Sequence, residues 1–242
     1  MAPQGSGQRP VAPGIALLHV DDDVVVASKP SGLLVHRGWD SDDDVAMFRV
    51  RDALGGQHVH PLHRLDRGTS GALVFARSRQ VAATLMRAFE LGQVDKRYLA
   101  LVRGEPPERG VVDHPIPRSD GGPRVPSVTR FRRLGRSPVD RCSLVLAKPE
   151  TGRLHQVRRH MCHIHHPIVG DVNHGDGAIN RHYRATYALY RLALHAVAIA
   201  FDHPVSGARL EVVAPVPDDL AGALAALGLS FSEADMRVEL PT

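Results

Sequence analysis

Strand-like and helix-like segments do not alternate along this chain, and that ordering restricts the fold more than any single motif. Seven apolar runs have strand length: Val24–Ala27, Gly71–Ala76, Arg97–Arg103, Val128–Leu134, Cys142–Ala147, Leu192–Phe201 and Leu210–Ala214. Four segments carry helical spacing: Asp44–Leu54, Arg79–Glu90, Thr151–His165 and a terminal helix at Asp218–Leu227. A doubly wound sheet would need strand and helix in strict turn, so the pattern predicts an α+β domain instead. Val128–Leu134 alternates weakly and reads as an edge strand. The aspartates before the first helix are expected to cap it, and Gly152 and Arg153 to open the third. Glu105–Gly110 and Ser119–Pro126 read as long loops, so residues 15–228 form one domain. Residues 1–14 read as a disordered leader and 229–242 as a C-terminal tail.

At 242 residues the chain can bury a full core. The leader lacks the apolar stretch of a secretory signal, and no apolar run approaches bilayer length. Cys142 and Cys162 are too few for a disulfide framework. A cytoplasmic protein with no membrane association is expected. Charge is distributed unevenly. Residues 118–159 hold eleven Arg or Lys against three acids, whereas residues 21–52 hold eight acids against four bases. A basic middle between acidic flanks suits a polyanionic partner, although a solvated charged face gives the same count.

Four groups of residues could carry chemistry. Asp66 lies at the mouth of an apolar strand, followed by Gly68-Thr69-Ser70-Gly71, a turn able to hold a carboxylate rigidly. By itself such an aspartate is usually a turn former. His-Arg-Asp also occurs in kinase catalytic loops, but here a leucine intervenes, and no Asp-Phe-Gly or glycine-rich phosphate loop is present. Thr151–His160 places arginines at helical spacing, where they can reach an internal carboxylate or an external phosphate. His155, His160, His163, His165, His166 and His174 crowd together in sequence, with Asp171 and Asp176 nearby. They lack the His-Glu-x-x-His spacing of a metal site, so structural or RNA-contacting roles are expected and no metal is assigned. Tyr98 opens a strand and is either core or a stacking platform for a base.

Taken in order, these pieces resemble the RNA pseudouridine synthases of the large-subunit rRNA synthase A type. The matching segments are Lys29–His36, His63–Gly71, Lys96-Arg97-Tyr98, Thr151–His160, His166–Asp171 and Arg191–Ala196, spread over residues 16–215. The tRNA pseudouridine synthase C subgroup is resembled more narrowly, through His36-Arg37-Gly38-Trp39, the second arginine of Gln156–His160, His174-Gly175-Asp176 and Asn180-Arg181. The stretch 115–140 is shorter than that subgroup leads one to expect.

The resemblance implies a mixed, mainly antiparallel sheet with flanking helices and a central RNA-binding cleft. The S4-type RNA-binding domain of some relatives is not expected here, and no cofactor and a monomer are expected. Its expected substrate is tRNA, at a uridine of the TΨC-arm region (position 65 of the tRNA). Ribosomal RNA is the alternative substrate, and a non-catalytic RNA-binding module the rival from another class. By residue match, Asp66 is the essential carboxylate, Arg158 pairs with it, and Tyr98 stacks on the flipped uracil and assists proton removal from C5. Arg64 enters the RNA as the base leaves. His63 and Arg153 contact RNA, and Leu194 lines the uracil pocket.

Overall fold

The computed structural model describes residues 14–37, 43–118, 121–236 and 240–241. Residues 1–13 of the expected leader, and Gly38 and Trp39 of the subgroup match, lie outside the described residues, as do 119–120, 237–239 and 242. Among the described residues no helix is long and apolar enough to cross a membrane.

The domain is built on one mixed sheet. Its strands are β1 (Ala16–Val20), β2 (Val24–Lys29), β3 (His60–Pro61), β4 (Ser70–Ala76), β5 (Asp95–Arg103), β6 (Arg109–Asp113), β9 (Val128–Arg136), β10 (Cys142–Pro149), β11 (Leu194–Asp202) and β12 (Arg209–Val213). The spatial order is β1-β2-β4-β11-β5-β10-β9-β6, with β12 beside β11 and β3 beside β4. A separate hairpin pairs β7 (Ile116–Pro117) with β8 (Arg124–Val125). Every named pairing is antiparallel except β4 with β11, which meet in parallel at Ser70↔His195 and Gly71↔Ala196. The expected α+β class with a mainly antiparallel sheet is the one observed.

β4 is buried along its whole length because Ala72–Ala76 has no polar residue to turn outward and neighbours on either side. Helix α2 (Arg79–Glu90) covers it, capped where Ser78 accepts the Val81 N–H at 3.2 Å, with Val81, Ala82 and Leu85 facing inward. Burying Val81 and Leu85 contributes roughly 2 kcal/mol each. α1 (Ala46–Ala53), α3 (Gln156–His163), α4 (Gly177–Tyr187), α5 (Asp218–Ala226) and the short α6 (Glu233–Met236) complete the flanks.

Several expectations need correction. The aspartates do not cap α1: Val45 holds the cap position without a side-chain bond, and Asp44 is drawn off by a two-pronged pairing with Arg49. β9 is an inner strand, between β10 and β6, because residues 109–113, which begin inside the supposed 105–110 loop, pair with it. α3 starts at Gln156, not near Gly152. The Gln156 side chain accepts from Thr151 Oγ1 and the Arg153 N–H, replacing the first helical turn with a loop. α4 was missed, although Asp176 caps it by accepting from the N–H groups of Ala178 and Ile179. α5 is not terminal, and the supposed tail adds Leu229, Phe231 and Met236 to the core.

Three apolar clusters fill the interior, and Tyr98 packs against two of them. Where those two meet, β4 and β11 begin side by side. Gly71 makes this approach possible: its φ is +116°, and a Cβ there would stand 2.2 Å from the Ala196 carbonyl oxygen. We expect Gly71→Ala to lower stability by at least ~2 kcal/mol, from left-handed strain plus the collision. An unshifted urea midpoint would show that the strands separate without cost.

Candidate active site

Two loops meet above the start of β4. Residues 30–34 follow β2, and residues 62–69 lead from β3 into β4. They are sewn together by the Gly32 N–H to the Arg67 carbonyl (2.8 Å), Ser31 Oγ to the Gly68 carbonyl (2.8 Å), and Arg67 Nε to the Gly32 carbonyl (3.0 Å). Lys29 lies wholly buried beneath them, its ammonium donating to the carbonyls of Pro30, Leu33 and Arg67. Burial, with Arg191 nearby, pulls this lysine down to about 7. The Thr69 N–H closes a turn onto the Asp66 carbonyl, so the Asp66 side chain is set by a braced backbone.

That side chain is 19 % exposed and meets Arg158 of α3. Arg158 Nη1 donates to Asp66 Oδ2 at 3.0 Å. Its Nε and Nη2 donate to the two oxygens of Asp171, each at 2.8 Å. The Asp171 side chain is fully buried, and its Oδ1 also accepts the N–H groups of Asn173 and His174. Arg158 and these backbone donors hold Asp171 below the usual carboxylate range, against the opposing effect of burial. One guanidinium therefore joins a buried anchor to a partly open carboxylate.

Tyr98 enters from β5, half-buried, in register with Ala196 of β11. Burial and then the Asp66 charge push its phenol well above the ordinary tyrosine value. Leu194 is buried in one of the clusters against which Tyr98 packs. Behind them Ser70 Oγ bonds to His195 Nδ1 (2.8 Å) and receives Arg191 Nη2 (2.5 Å), while His195 Nε2 donates to the Ala214 carbonyl. This ties the parallel start of β4 to β11. Arg64 is exposed, beside a cavity of about 500 Å³ that it lines with His36, Arg37, Met47, Phe48, Pro61 and His63. The His63 ring is engaged inward: it accepts the Val74 N–H, stacks on Phe89, and burial lowers it to about 3. Arg153 is exposed, its Nε reaching the Pro126 carbonyl at 3.4 Å.

Asp66, Arg158 and Tyr98 are thus brought together, with Leu194 close behind. Asp171 and Lys29 occur in the matched segments, but their part in fixing the site was not read from them. A buried aspartate two residues past an apolar pair, in Ile168-Val169-Gly170-Asp171, was the available signal for a partner to an arginine.

The basic middle is less free than its count suggests. Arg130 pairs with Glu150, Arg132 with Glu108, Arg133 and Arg136 with Glu105, and Lys148 with Asp95. The histidines do not form one cluster, although His155 and His174 stay 3.1 Å apart. His160 is buried among Ser127, Thr129 and the His114 carbonyl, and His166 donates to the Arg103 carbonyl. Among the described residues the group with metal-ligand spacing is Asp21, Asp23 and His203, at the far end of β2 from Asp66. His203 Nδ1 accepts two backbone N–H groups there, which places the proton on Nε2 toward Asp21 and makes that nitrogen a poor ligand.

The family model described as RNA pseudouridylate synthase matches residues 23–163, more than half of the chain. The chain belongs to that family. The synthase is 43 % identical over 222 residues to tRNA pseudouridine synthase C of Pectobacterium carotovorum, covering 83 % of this chain and 58 % of that protein. It is 41 % identical to tRNA pseudouridine synthase C of Yersinia pestis, covering 94 % and 96 %. Among solved structures, Human RNA Pseudouridylate Synthase Domain Containing 1 superposes on the synthase with TM-score 0.75 at 28 % identity, covering 98 % and 96 %. Human RNA Pseudouridylate Synthase Domain Containing 4 does so with TM-score 0.73 at 29 % identity, covering 89 % and 94 %.

We expect Arg158→Lys, which keeps the charge but loses the fork, to lower single-turnover rate by roughly 100-fold through misplacement of Asp66. RNA affinity should hardly change. An equal loss in affinity would make Arg158 an RNA contact instead.

Proposed function

We propose that this pseudouridine synthase isomerises a uridine in the TΨC-arm region of tRNA, with Asp66 as the essential carboxylate. What carries the chemical part is the Arg158 fork, which binds Asp66 by Oδ2 alone while the carboxylate stays 19 % exposed. The names of the bacterial relatives, tRNA pseudouridine synthase C, support the choice of tRNA.

The target base must leave its stack to reach Asp66. Extruding a base costs a few kcal/mol, and the exposed Arg64 is placed to occupy the vacated space. Tyr98 offers its ring as a platform for the uracil, and the buried Leu194 backs that platform. Asp66 then acts at the sugar, the N1–C1′ bond breaks, the uracil turns, and C5 joins C1′. Arg158 holds Asp66 in position throughout. Arg153, exposed beside the Pro126 carbonyl, is a phosphate contact, and such contacts fix orientation rather than sequence.

Incubating the protein with unmodified tRNA transcript and mapping pseudouridine by carbodiimide labelling and primer extension tests this directly. One stop in the TΨC-arm region is expected, absent with Asp66→Ala. That variant should bind RNA within about threefold of wild type, since losing one carboxylate removes no phosphate contact. A stop on ribosomal RNA and none on tRNA would replace the substrate. Turnover by Asp66→Ala would overturn the role of Asp66.

A further inference from the structure

Forming pseudouridine moves one hydrogen as well as one bond. Once C5 is joined to C1′ it carries an extra hydrogen, and N1 must gain one. The C5–H electron pair re-forms the C5–C6 double bond, the C6–N1 pair withdraws to N1, and N1 takes a proton from water. Some base has to receive the C5 proton.

The cleft offers few candidates. Arg158 is a cation with two carboxylates to serve. Lys29 is lowered to about 7, but it is wholly buried with its Nζ turned onto three carbonyls. The Tyr98 phenol is kept protonated by burial and by Asp66, so it can donate but is a poor acceptor. Asp66 is engaged at the sugar.

His155 remains, and its placement is unusual. Its Nε2 faces Asp66 Oδ1 across 3.9 Å, beyond hydrogen-bond distance. Its Nδ1 lies 3.1 Å from His174 Nε2. When Nδ1 donates to His174, Nε2 presents a bare lone pair beside the catalytic carboxylate. The ring is 22 % exposed, so solvent reaches it on the side it shares with Asp66.

The backbone adds an independent sign. Among the described residues His155, His165 and Ala188 are the non-glycine positions with positive φ. Ala188 caps the C-terminus of α4 and His165 follows the C-cap of α3, where a left-handed residue is ordinary. His155, at φ 55°, precedes the N-terminus of α3, where extended backbone is usual. Strain of this kind clusters at working sites.

We infer that His155 is a further catalytic residue, the base that takes the C5 proton, with His174 as the partner that passes charge on to solvent. Nε2 gains the C5 proton while the Nδ1 proton moves to His174 Nε2, and partly exposed His174 returns it to water. Burial, reinforced by Arg158, His174 and Arg159 and opposed by Asp66, holds His155 below the ordinary histidine value. It therefore starts neutral. The inference rests on the proposed role of Asp66 at the sugar.

The test is His155→Asn, because asparagine tolerates left-handed backbone and can still bond to His174. Single-turnover rates are measured on RNA carrying uridine or 5-deuterouridine at the target, after wild-type turnover on that RNA is established. The variant should be roughly 100-fold slower or more, as expected for loss of a general base. It should also show a primary deuterium effect larger than that of wild type, with melting temperature and RNA affinity unchanged. A variant as fast as wild type, or one slowed equally on both RNAs, would overturn the assignment. Wild type inactive on tRNA but active on ribosomal RNA would change the substrate reading only, and the same isotope comparison would then be run there.

Discussion

Everything at this site depends on one guanidinium shared between two carboxylates. Arg158 spends two of its donor positions on Asp171, which is fully buried, and one on Asp66, which is not. A buried ion pair contributes little net stability, but removing one partner costs about 3–5 kcal/mol because the other charge is left without compensation. The pair is better understood as a device for position. Asp171 fixes Arg158 through planar two-point geometry, and Arg158 transmits that fix to Asp66. The carboxylate is thereby held on one oxygen while its side chain stays partly exposed.

The sheet makes this meeting possible. β4 and β11 start in parallel against each other, and the chain achieves that contact through Gly71 and the Ser70–His195–Arg191 bonds. Asp66 is thus delivered from one half of the core, while α3 and the 168–174 turn deliver Arg158 and Asp171 from the other. Tyr98 packs against both halves at their seam. Local strain at His155 also belongs to this seam, since its ring bridges from α3 to His174 and looks toward Asp66.

The fold class was legible because its signals are local: unbroken apolar strands such as Ala72–Ala76, and the helical spacing of Arg79–Glu90 with Ser78 before it. Boundaries failed where a side chain overrode the local pattern. Gln156 replaces a helical turn by taking the donors of Thr151 and Arg153, and no periodicity reports that. β9 read as an edge from its weak alternation, and its partner strand begins inside a segment that looked like loop. In the site, Asp66, Tyr98 and Arg158 were visible through motif order. Asp171 was visible only as a residue in a matched segment, since its pairing with Arg158 exists in space alone. Likewise the charge count over 118–159 could not foresee Glu105 and Glu108, which lie outside that window and neutralise three of its arginines.

A double-mutant cycle between Asp171→Asn and Arg158→Lys, read in single-turnover rate on a common RNA, tests the central claim most directly. If Asp171 acts on Asp66 only through Arg158, the double variant is no slower than the slower single variant, the non-additivity expected of residues working as one unit. Costs that simply add would mean that Asp171 and Arg158 act independently, and the shared guanidinium would not be what positions Asp66.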